Sequence, residues 1–110
     1  RVTMLYVANR GSHEIHGLRN GNGSVAVIDF ASDKVVARWG IPGGGSPDMG
    51  NISADGRYLW LAARYDDVVY RFDTQDGGKV AQVQVGAEPH GLTVWPIPGR
   101  YSLGHTGNMR

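Results

Sequence analysis

The chain has 110 residues and a mass of 11.9 kDa, enough for one small domain or a piece of a larger one. Eleven basic against ten acidic side chains leave a formal charge of +1, without the basic surplus of a nucleic-acid or membrane-surface binder. Seventeen glycines without a period of three exclude collagen, 41% apolar content excludes a disordered tail, and no cysteine is present for disulfides, thiolate metal sites or thiol nucleophiles.

In chain order, Leu5-Tyr6-Val7-Ala8-Asn9 reads as a strand, and ten extra residues fall within Arg10 to Gly23 before the next one. Ser24-Val25-Ala26-Val27-Ile28-Asp29 is short, β-branched and closed by an Asp with turn residues after it. Ala37, Trp39 and Ile41 alternate with polar or small neighbours at the two-residue period of a strand. Strands are expected over 48–54, 57–63, 67–73 and 79–85, with tight turns at Asp55-Gly56 and Pro98-Gly99. No useful stretch has a 3.6-residue apolar period, so helix should be nearly absent. No apolar run approaches the ~18 residues of a membrane span.

These segments repeat. Asp29 maps onto Asp73, and Ala37-Arg38-Trp39 onto Ala81-Gln82-Val83, both at a step of 44. Ser46-Pro47-Asp48 maps onto Glu88-Pro89-His90 at 42, and Leu5–Asn9 onto Leu59–Ala63 at 54, which is one period plus the insertion. A period of 40–45 residues with four short strands is that of a β-propeller blade. The expectation is an all-β chain of four-stranded antiparallel β-propeller blades. Residues 1–41 would supply strands B to D of one blade, 42–85 a complete blade, and 86–110 strands A and B of a closing blade. Two and a quarter blades cannot close a ring, so the partners expected are the remaining N-terminal blades or other copies of the chain. Alone, the chain should expose two blade faces and should not be a well-behaved folded monomer.

Leu5-Tyr6-Val7-Ala8-Asn9, Val25-Ala26-Val27-Ile28-Asp29, Lys34-Val35-Val36-Ala37 and Gly86-Ala87-Glu88-Pro89-His90-Gly91 resemble the YVTN repeat of bacterial YncE-like propellers. The resemblance spans nearly the whole chain. It departs where the motif Asn becomes Ala63 and Thr106, where Asp55-Gly56 becomes Pro98-Gly99, and in the tail from Gly104 to Arg110. It implies a seven-bladed parent, export to the periplasm, cell surface or medium, and relatives that include lactonases and redox-cofactor carriers. It specifies no cofactor.

A four-stranded meander sends the B–C and D–A loops to one face, where long loops on a rigid scaffold concentrate binding residues. The insertion, the loop from Pro42 to Asp48, the segment Gly86 to His90, and Arg64-Tyr65-Asp66 therefore share a face. His90 and Asp48 occupy equivalent places at the expected channel mouth, as ligands or a general base, or as residues that hold the loop backbone. Arg10 and Arg64 are equivalent rim residues, for an anion or for surface ion pairs. His13 and His16, with Glu14, form a weak metal motif in a loop. Gly43-Gly44-Gly45-Ser46-Pro47 lacks the helix and Lys of a phosphate cradle. The two N-glycosylation patterns, at Asn22 and Asn51, carry no weight. The aromatic residues at blade positions read as inter-blade packing.

Three functions are thereby set out. The first is an exported binding or interaction scaffold with an unidentified ligand, using the loop-rich face. The second is a propeller enzyme, hydrolytic or redox, with a metal or cofactor at the channel mouth. The third, open only through the resemblance, is a nucleic-acid binder, which the charge balance disfavours.

Overall fold

The computed structural model describes residues 3–11, 22–41, 45–95, 101–102 and 108–109. All regular structure among them is β-strand. β1 (Met4–Asn9), β2 (Ser24–Asp29) and β3 (Lys34–Gly40) form one antiparallel meander in chain order. β4 (Pro47–Ile52), β5 (Tyr58–Ala63), β6 (Val68–Asp73) and β7 (Lys79–Gln84) form a second, four-stranded one. β8 (Tyr101–Ser102) and β9 (Asn108–Met109) make a separate two-residue pair. No helix among the described residues is long and apolar enough to cross a membrane.

The alternation seen in the sequence decides which side of each strand is buried. Leu59, Leu61 and Ala63 of β5, with Val68, Tyr70 and Phe72 of β6, turn one face of the second sheet inward. Val25 and Val27 of β2 and Trp39 of β3 meet it from the first sheet, flanked by Tyr6, Ala8 and Ala37. The Trp39 ring lies 6.2 Å from Phe72 and 5.5 Å from Tyr6, so aromatic contact bridges the sheets. Phe72 has no exposed surface, and burying such a side chain contributes roughly 1.5–3 kcal/mol.

The 44-residue step is written into the backbone. Val25 pairs with Trp39 and Val69 with Val83; Val27 pairs with Ala37 and Arg71 with Ala81. Each sheet has a register shift at the matching place, Val27/Ile28 in one and Arg71/Phe72 in the other. The turns match too. Asp33 N–H donates to the Asp29 carbonyl at 2.9 Å, and Gly77 N–H to that of Asp73 at 2.8 Å. Both donors have positive φ, 55° and 74°. The two Asp carboxylates also take turn amides, from Ser32 and Gln75. Ile41 N–H donates to Gly23 and Val85 N–H to Asp67, again 44 apart.

The last quarter differs from expectation. Residues 85–95 carry no strand, so the anticipated strand A after Gly86 is not formed there. No strand pairs with this segment among the described residues, and an unpaired strand has nothing to hold it extended. Within the tail that departs from the repeat, β9 pairs with β8.

Arg57 ties two turns together. Its Nη2 and Nε donate to Asp73 Oδ2 at 2.9 and 3.1 Å, and its carbonyl accepts from Thr74 N–H at 2.9 Å. The Arg57 hydrogen bond, then the Gln75 amide, hold the Asp73 carboxyl below the usual carboxylate range. A carboxyl depressed on folding stabilises above its unfolded pKa, ~3.9, and loses that contribution as pH falls through the lower folded value. The urea midpoint of the wild type should therefore fall below about pH 4. Arg57→Gln should lower the midpoint at pH 6 and flatten the acid limb. Parallel midpoint–pH curves for the two proteins would remove this clamp from the account.

Candidate functional site

The register sets the geometry of one end of the molecule. Asn9, Ser24 and Gly40 align across the first sheet, as do Pro47, Ala63, Val68 and Gln84 across the second. The links after β1, β3, β5 and β7 all leave from this end. The turn from Arg64 to Asp67 is its best-braced part. Ser46, only 1% exposed, accepts Tyr65 N–H on its Oγ at 2.7 Å and Arg64 N–H on its carbonyl at 3.0 Å. Its own N–H donates to Asp66 Oδ2 at 2.7 Å. The Tyr70 hydroxyl donates to the same oxygen at 2.6 Å, and burial, with Asp66 beside it, pushes the Tyr70 hydroxyl well above the ordinary tyrosine range.

Three of the four rim residues expected from the sequence come together here. The Arg10 and Arg64 guanidinium carbons lie 5.4 and 5.7 Å from the centre of the Tyr65 ring. Arg10 Nη1 pairs with Asp48 Oδ2 at 3.3 Å. Arg64 has no ion pair among the described residues, and its Nε is buried without an acceptor. The neighbouring acids are engaged: Asp66 with Ser46 and Tyr70, and Asp67 with the Glu88 amide at 2.9 Å.

His90 is placed apart from this cluster. It lines a shallow open hollow of about 580 Å³ with Met49, Glu88, Pro89 and Gly91. Its Nδ1 lies 3.5 Å from the Glu88 carbonyl, at the outer limit of a hydrogen bond. No hydrogen bond or ion pair joins it to Asp48, Arg10 or Arg64 among the described residues. Glu88 sits at φ 52°, the left-handed region, and its amide is held by Asp67. His13 and His16, with most of the insertion, lie outside the described residues. Among the described residues no three His, Asp or Glu side chains gather closely enough to hold a metal ion. Asn51 is buried in β4, closed to modification.

Tyr65 and Ser46 are the members of this site that the sequence did not single out. The one available signal was a small polar residue before Pro47, at the end of a glycine run. No protein-family model matches the chain, and a search of curated proteins finds no match.

Proposed function

We propose that the two sheets are consecutive propeller blades of an exported protein, and that the loop-bearing rim is a binding surface rather than a catalytic centre. Two supports carry the blade reading: the register repeated at 44 residues, and the face-to-face packing of the sheets. The observation that carries the binding reading is Arg64. It is a guanidinium laid on an aromatic ring, on a turn fixed by Ser46, with no carboxylate opposite it among the described residues. A planar anion such as a carboxylate fits its outer edge, because guanidinium and carboxylate share a two-pronged hydrogen-bonding geometry. Arg10, neutralised by Asp48, flanks that position from the other sheet.

The test is a titration of the chain with sodium acetate at constant ionic strength, followed by backbone amide shifts. Saturable shifts centred on Arg64 and Tyr65, lost in Arg64→Gln, are expected. Shifts spread evenly over the surface, or unchanged in the variant, would overturn the reading.

A further inference from the structure

Three described glycines follow an Asn or Asp: Gly23 after Asn22, Gly56 after Asp55, and Gly77 after Asp76. Such a pair has its own chemistry. Glycine puts no side chain in the way of its nitrogen, which can then reach the carbonyl carbon of the side chain before it. Two of the pairs are braced against this. Gly56 N–H donates to the Ser53 carbonyl at 2.9 Å, and Asp55 Oδ1 accepts Arg57 N–H at 2.9 Å. Gly77 N–H donates to the Asp73 carbonyl at 2.8 Å, and Asp76 Oδ1 accepts Gly78 N–H at 2.8 Å. In both, nucleophile and electrophile must each leave a hydrogen bond before they can meet.

Asn22 is different. It is exposed and precedes β2 without belonging to it. Among the described residues neither its side chain nor Gly23 N–H has a hydrogen-bond partner. The equivalent pair 44 residues on, Asp66-Asp67, is closed: Asp67 N–H donates to the Ala63 carbonyl at 3.1 Å, and Asp66 is held by Ser46 and Tyr70. Packing nevertheless demands glycine at 23. A Cβ there would lie 2.4 Å from the Gly45 carbonyl oxygen and 2.7 Å from Pro47 Cδ. The fold thus requires the residue that makes its neighbour reactive.

We infer that Asn22 is a site of spontaneous deamidation in the folded protein, whereas Asp55 and Asp76 are shielded from the corresponding rearrangement. The Gly23 nitrogen attacks the Asn22 amide carbon, and the side-chain nitrogen leaves as ammonia with the proton lost from Gly23. Water then opens the cyclic imide at either carbonyl, giving aspartate or isoaspartate. No oxidant, metal or enzyme is needed. The product carries one more negative charge, taking the formal charge from +1 to zero. In the isoaspartate the backbone runs through one additional carbon. Gly23 has no slack to absorb it, being wedged against Gly45 and Pro47 while its carbonyl holds Ile41 N–H at 3.0 Å. The inference is independent of both the blade reading and the rim.

The experiment compares the wild type with Asp55→Asn and Asp76→Asn, which place the same Asn-Gly chemistry on the braced turns. Each is held at one mildly alkaline pH in buffer and in urea, digested, and read by mass spectrometry for the gain of an amide becoming an acid. Fragment ions separate Asn22 from Asn20, which lies outside the described residues. In urea the three positions should react alike. In buffer position 22 should keep most of its urea rate, while positions 55 and 76 slow roughly tenfold or more, the cost of opening two ordinary hydrogen bonds. Circular dichroism checks that the variants fold. Should one fail, wild-type Asp55 and Asp76 take its place, read by isoaspartate-specific fragment ions. Asn22 slowed in buffer as much as the other two would overturn the inference. So would positions 55 and 76 reacting in buffer at their urea rates.

Discussion

Phe72→Ala is expected to remove about 3–5 kcal/mol of stability, most of what a small domain has to lose. The ring is fully buried, 6.2 Å from Trp39 across the sheets and 6.1 Å from Tyr70 beside it. Truncation forfeits transfer free energy, leaves a cavity between two sheets that cannot close independently, and ends both aromatic contacts. The repeat supplies an internal control. Ile28 stands 44 residues earlier, at the same register position, on the outer face of the first sheet. Ile28→Ala should cost less than about 1 kcal/mol when the protein is dilute enough to be a single chain, because half-open side chains collapse into water rather than into a void. Urea denaturation of both variants decides the matter. Equal losses would mean that the core does not lie between the two sheets.

Gly77→Ala should be strongly destabilising. A Cβ there would lie 2.1 Å from Trp39 Cδ1 and 2.3 Å from two further indole atoms. The indole belongs to the central aromatic contact and cannot swing aside freely. Position 77 also has φ 74°, where any side chain beyond glycine is strained. Overpacking of this kind costs about 1–3 kcal/mol, and the backbone strain adds about 1 kcal/mol. The two parts are separable. The equivalent Asp33 adopts φ 55° without an indole known to press on it, so the turn itself tolerates a side chain. In a Trp39→Val background, matching Val83 of the repeat, Gly77→Ala should retain only the backbone part. A thermal-denaturation cycle over the four proteins measures the coupling between the sites. Absence of coupling would show that Trp39 does not seat on this turn.

The strands of both sheets were legible because each announces itself locally. Alternation at Leu59-Trp60-Leu61, and an Asp followed by turn residues at 29 and 73, need no knowledge of distant neighbours. The observed bounds of β5 and β6 fall within a residue of the expected 57–63 and 67–73. The rim was legible only in outline. Equivalence of position placed Arg10 and Arg64 together, but the ring between them was invisible. Tyr65 acquires its role through Ser46, 19 residues away, and through Arg10 on another sheet. Such contacts follow from how the sheets stack, which a two-residue period does not encode. The strand expected after Gly86 was misread for a related reason. His90-Gly91-Leu92-Thr93-Val94 has strand-like composition, but a ladder needs a partner, and among the described residues no strand pairs with it.

Every strand of the two meanders pairs only with its neighbour along the chain, across links of four to fourteen residues. Low sequence separation makes loop closure inexpensive in entropy and lets each sheet begin folding before the rest exists. The first sheet can therefore assemble as it leaves the ribosome, yet its Trp39 face has no cover until β6 arrives with Phe72. One 44-residue period emerges in roughly 2–9 s at ordinary synthesis rates, and for that time an apolar sheet face stands open. That interval, rather than the speed of strand pairing, sets when a nascent chain needs a chaperone. Protease digestion of ribosome-stalled chains of graded length reads it directly: residues of β1 to β3 should gain protection only once β6 has emerged.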